Sequence, residues 1–177
     1  MTIILKCLCI VLGLFVVNTF KKFGQEAIND DRYLTAVGSV SAVFGGIRFL
    51  WSYLVDKYSF KLSYGIVLCI NVVFGFTLVL VRYNRALFLI WVSMIVWAEG
   101  AHFALVPTLC AKLFGKHAAI VYGVAFSFGG ISQIISSVMV RLYIKTAGYE
   151  IFYYAASSLS LVSLFFLIFF FQEKKVC

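Results

Sequence analysis

An all-α membrane protein with six transmembrane helices is the fold class the sequence predicts, on three observations. Of its 177 residues 63% are apolar and 12% charged, against about half and about a quarter in an average soluble domain. Residues 62–81, 118–140 and 151–172 contain no Asp, Glu, Lys or Arg, and each has the ~20 residues a helix needs to cross the hydrocarbon core of a bilayer. The connectors between apolar runs are short and polar, which suits neighbouring helices packed antiparallel.

Three further runs have the right length but carry an isolated charge: 3–20 with Lys6, 33–55 with Arg48 and 86–111 with Glu99. Counted with the first three they make one six-helix bundle in a single domain, 1–177. Lys6 before an apolar run resembles the start of a signal peptide, but no small-x-small cleavage site precedes Lys21, so the run is kept as a helix. Closed barrels need segments of about ten residues with alternating polarity. These runs are apolar on every face, which favours helices in a lipid bilayer.

The net charge of +8 does not point to nucleic acid, because the basic residues are scattered through the connectors and form no patch or stripe. With six spans they divide evenly between the two sides once Arg48 is set aside, so a positive-inside bias gives no orientation. The five cysteines include no Cys-x-x-Cys pair. No disulfide framework, metal site or cofactor is expected, and Cys177 lacks the following residues that a prenylation box requires.

Helices in lipid associate through close approach at small residues and through polar contacts, so small residues mark candidate inner faces. In the second span Gly38, Ala42 and Gly46 recur every four positions, flanked by Ser41 and Gly45 and continued by Arg48 and Ser52 toward Asp56. Gly100, Ala104 and Thr108 repeat the pattern in the fourth span, and Ala119, Gly123 and Ser127 in the fifth. Tight packing alone also accounts for each row.

Two positions carry candidate chemistry. Arg48 precedes Asp56 by eight residues, which places it roughly 12 Å inside the helix end. A charge at such depth faces a partner or a watery cavity, and the guanidinium fork suits a carboxylate or phosphate. An anionic substrate held with Ser41 and Gly45, or an internal salt bridge, both satisfy it. Glu99 lies near the middle of its span with His102 one turn on, on the same helical face. The pair could carry a coupling proton, or Glu99 could simply neutralise Arg48 or bond His102. An intramembrane serine protease is not expected: Ser127 sits in a glycine-rich helix, but His102 and His117 both precede it, so the sixth span offers no base.

The stretch from Gly45 to Lys61, with Leu54, Asp56, Lys57 and Lys61, resembles the signature loop of major facilitator transporters, although Ser52 and Ser59 stand where that pattern has glycine. A second resemblance covers Ala98-Glu99-Gly100, Phe103-Ala104-Leu105-Val106-Pro107, Leu113-Phe114-Gly115 and Tyr122-Gly123. It is similar to helices ten and eleven in the monocarboxylate and oxalate–formate branch. Together these imply the carboxy-terminal six-helix half of a twelve-helix carrier, with Asp56 to Lys61 and both termini cytosolic. They also imply that Arg48 binds a substrate carboxylate and that two halves rock about a midplane site. The region 127–130 has no lysine where oxalate-type members place one, so a small monoanion such as a monocarboxylate is expected. One half alone does not transport. The resemblance therefore implies a missing amino-terminal half, in preference to a second copy of the chain. A membrane scaffold or assembly partner is the alternative function.

Overall fold

The computed structural model describes the backbone of residues 2–170 and the side chains of most residues from Val11 onward. The expected side groups of Lys6, Cys7 and Cys9, and Lys174, Lys175 and Cys177, lie outside the described residues. Six helices follow one another: α1 (Thr2–Ile28), α2 (Asp31–Gly46), α3 (Phe49–Lys57), α4 (Phe60–Val81), α5 (Arg85–Phe114) and α6 (Ala118–Phe170). Residues Gly115–His117 form a single 3₁₀ turn. Gly148, at φ 73 and ψ 166, breaks α6 into two stretches, a conformation open to glycine because it has no Cβ. No strand occurs among the described residues.

Among the described residues four helical stretches are long and apolar enough to cross a membrane: Asp31–Lys57, Phe60–Val81, Arg85–Ile131 and Gly148–Phe169. They correspond to the expected second, third, fourth and sixth spans. The first and fifth expected spans, 3–20 and 118–140, are helical, and part of each lies outside the residues whose side chains are described. The expected continuous helix over 33–55 is instead two, α2 and α3, interrupted at Ile47 and Arg48.

The connectors end and start helices by side-chain capping, which satisfies amides that have no helical acceptor. Asp30 accepts from the Tyr33 N–H at 3.0 Å, Ser59 from the Leu62 N–H at 3.1 Å and Asn84 from the Leu87 N–H at 3.2 Å. Asn29, at φ 50, takes the left-handed conformation that ends α1, which asparagine tolerates better than most residues. Ser59 is the residue that replaces glycine in the signature-like loop, and its hydroxyl starts α4.

Ion pairs show which connectors share an end of the bundle. At one end Lys21 meets Asp31 at 2.9 Å, Arg85 meets Asp30 at 3.4 Å and Arg82 meets Glu150 at 2.7 Å. At the other Lys112 meets Asp56 at 3.3 Å, and the Lys61 ammonium donates to the Ile168 carbonyl at 2.9 Å. The alternation expected from connector order is therefore present from Lys21 to Ile168.

The core divides into two apolar clusters. One gathers Trp51, Val55, Phe60, Tyr64, Leu68, Ala101, Leu105 and Leu167 toward the Asp56 end. The other gathers Leu12, Phe23, Leu34, Leu78, Phe88, Ile95 and Tyr153 toward the Arg82 end. Helix α5 touches every other helix, and two of its neighbours come unusually close. A Cβ on Gly13 of α1 would overlap the Glu99 carboxyl, and a Cβ on Gly100 would lie 3.0 Å from the Gly45 carbonyl oxygen and 3.3 Å from the Arg48 Cβ.

Gly13→Ala is therefore expected to lower the thermal midpoint in detergent. Forcing α1 from α5 costs about 1–3 kcal/mol, more than the roughly 0.5–1 kcal/mol that alanine returns in a helix interior. Gly123→Ala, where a Cβ would meet nothing within 4 Å, is expected to leave the midpoint unchanged or raise it. Parallel circular-dichroism melts decide it, and equal midpoints for both variants would contradict the close α1–α5 contact.

Candidate functional site

Arg48 sits at the interruption of the second span. The Gly45-Gly46 pair is a poor helix former, and the ladder tightens there into three-residue steps. The Ile47 N–H is shared between the Val43 and Phe44 carbonyls at 3.3 and 3.1 Å, and the Leu50 N–H turns to the Ile47 carbonyl at 3.3 Å. The Gly46 carbonyl thereby loses the donor a continuous helix would give it. In α5 Pro107 has no N–H for the Phe103 carbonyl one turn earlier. Both weakened positions face one open groove of about 520 Å³, lined by Gly46, Arg48, Phe49 and Ser52 on one side and Phe103, Ala104, Pro107 and Tyr122 on the other.

Arg48 is exposed in this groove, and among the described residues no carboxylate lies within ion-pair distance of it. Its stem rests against Gly100, so the α2–α5 crossing fixes where the guanidinium begins. Ser41 and Gly45, expected to share this site, face α5. The Ser41 hydroxyl is buried and lies 3.2 Å from the Ser93 hydroxyl, and a Cβ at Gly45 would lie 3.3 Å from Val96. Neither lines the groove.

Glu99 and His102 are buried on the other side of α5, at 4% and 0% exposure. The His102 Nδ1 lies 3.2 Å from the Tyr64 hydroxyl, with the two rings edge to face at 5.5 Å. Glu99 points toward Gly13 and away from the groove, so it does not neutralise Arg48. Other polar side chains buried among the described residues include Asn71, Ser157, Ser160 and Ser163. Asn71 lies on α4 between Leu68 of one apolar cluster and Leu78 of the other, and the serines lie on α6 between Ala156 and Leu167. Asn71 is fully buried, and neither amide atom has a hydrogen-bond partner among the described residues. It interrupts the charge-free run 62–81 as its only amide, and that signal could have found it. No spacing rule links Tyr64 to His102.

The signature-like residues lie together at the Asp56 end. Asp56 pairs with Lys112 of α5, Lys57 lies over the Tyr53 and Tyr58 rings at 5.9 and 5.6 Å, and Lys61 ties α4 to the end of α6. The small-residue row of α6 is open: Ala119, Gly123 and Ser127 are exposed, and the Ser127 hydroxyl is turned back onto the Gly123 carbonyl at 3.0 Å. No family model matches the chain, and no curated protein matches it.

Tyr64→Phe removes the hydroxyl that His102 uses and keeps the ring stack. A loss of about 1 kcal/mol, typical of a buried hydrogen bond, is expected in denaturant or thermal unfolding. An unchanged midpoint would show that the two side chains are not bonded.

Proposed function

We propose that the chain is one six-helix half of a major-facilitator-type carrier, embedded in a bilayer, that moves a small organic monoanion such as a monocarboxylate by alternating access with a second half. The observation that carries the reading is Arg48: a cation at a helix interruption, lining an open groove, with no acidic partner among the described residues. A charge in a membrane span is expensive unless it meets water or a counter-ion. Discontinuous helices are the places where carriers bind solutes, because unwound backbone survives at membrane depth only where it lines a cavity or is buried in protein.

Several features support a bilayer and an incomplete assembly. Large apolar side chains stand widely exposed, among them Leu80 at 72%, Ile120 at 69% and Phe169 at 66%, a surface that water does not tolerate in a monomer. The open row Ala119, Gly123 and Ser127 is the kind of face that another helix packs on. Glu99 with His102, buried one turn apart, serves as the proton-coupling pair in this reading. Asp56, Lys57 and Lys61 brace the cytosolic loop against α5 and α6 as the halves rock. A scaffold protein would have no use for an unpaired arginine in a groove.

Topology is open to cysteine labelling. With six crossings and cytosolic termini, introduced cysteines near Gly24 and Tyr149 should react only from the outer side and one at Lys116 only from the cytosol. The reverse pattern, or labelling of Gly24 and Tyr149 from opposite sides, would rule out the arrangement.

Function is open to uptake. In vesicles that show saturable uptake of a short monocarboxylate, Arg48→Gln should abolish it and Arg48→Lys should reduce it sharply, because lysine lacks the bidentate fork. Glu99→Gln should abolish accumulation driven by a pH gradient while sparing counterflow. Unchanged kinetics for both Arg48 variants would remove Arg48 from the site, and equal loss of both Glu99 activities would make that residue structural. Saturable uptake by a purified monomer would refute the need for a second half.

A further inference from the structure

Resting on the reading of Arg48 as an anion-binding residue, we propose that the groove selects monocarboxylates with a flat aromatic body over short aliphatic ones. The inference comes from what surrounds the guanidinium. Phe49, Phe103 and Tyr122 line the same groove as Arg48, and Phe126 touches two of them, its ring centroid 6.1 Å from Phe103 and 6.0 Å from Tyr122. Phe103 and Phe126 meet edge to face, the arrangement that ring quadrupoles favour. Three rings and a single cation therefore line one groove.

Three features of the groove set the ligand. Among the described residues Arg48 is the only charged one in its lining, so one carboxylate is matched and a second would be left uncompensated in a partly apolar site. The volume of about 520 Å³ falls within the range of pockets that enclose drug-sized ligands. An acetate- or propanoate-sized solute on Arg48 would leave the ring surfaces in contact with water. A ring attached to the carboxylate would cover them, gaining apolar burial and the additional attraction of ring pairs. Phe49 follows directly on the tightened turn at Ile47 and Arg48, and Pro107 lines the same groove as Phe103.

The test is calorimetric titration of the purified full chain in detergent with two probes, 3-phenylpropanoate and propanoate. The aromatic acid is expected to bind about tenfold or more tightly, the value of burying one phenyl-sized group. Arg48→Gln should weaken both acids. Tyr122→Leu and Phe49→Leu should each weaken 3-phenylpropanoate about two- to twelvefold and leave propanoate unchanged, while Tyr122→Phe keeps the wild-type preference. Phe49 is 66% exposed, so its variant keeps the test valid even if the Tyr122 variant does not fold. Equal affinity for the two acids, with both lost in Arg48→Gln, would overturn the aromatic preference and leave the anion site standing. Equal weakening by Tyr122→Phe and Tyr122→Leu would assign the effect to the hydroxyl and overturn it as well. No binding of either acid would overturn both the preference and the anion site.

Discussion

The close approach of α5 to its neighbours is the constraint on which the rest of the structure depends. Helix α5 touches every other helix, and glycine stands at two of its close contacts: Gly13 opposite Glu99, and Gly100 opposite the Gly45 carbonyl. In lipid, where tails are as apolar as leucine, helix association depends on such contacts and on polar bonds between helices. The same two contacts aim the functional side chains. With Gly100 against α2, the stem of Arg48 is held at the groove. With Gly13 against the carboxyl, Glu99 is turned into the bundle.

Two polar sites therefore lie on opposite faces of one helix. The groove face is open, and it lies at the interruption of the second span at Ile47 and Arg48 and beside Pro107, which leaves one hydrogen bond out of α5. Its apolar lining is aromatic and its single charge is unpaired among the described residues. The interior face is closed, and Glu99 and His102 are buried there. In the proposed carrier this face is where proton exchange would take place.

The ends of the bundle are held by other means. Exposed ion pairs such as Lys112 with Asp56 contribute little on their own, and their value lies in alignment. The caps Asp30, Ser59 and Asn84 define where α2, α4 and α5 begin, which fixes which residues of each helix lie at the level of Arg48 and Glu99. Ser59 illustrates how a departure from a resembling pattern can keep local function. It gives up the freedom of glycine and supplies a hydroxyl that caps α4.

Helical class, the approximate limits of the apolar runs and the alternation of connectors were legible in the sequence, because they follow from run length, hydropathy and chain reversal. So were Arg48 and Glu99 as exceptional charges, and Gly100 as a packing position. The partners were not. Ser41 and Gly45 share a flank with Arg48 on a helical projection, and the Arg48 stem also rests on α5 at Gly100, yet of the three only Arg48 lines the groove. Asn71 stood out as an amide in an apolar run, but its place between the two clusters depends on how α4 meets α5 and α6. Tyr64 with His102 joins two helices distant in the chain, and Tyr122 lines the same groove as Arg48. Sequence by itself determined which segments are helical and which charges they carry. Tertiary structure decided which side chains meet, because helix rotation and crossing are set by where glycines let backbones approach, and no local periodicity encodes that.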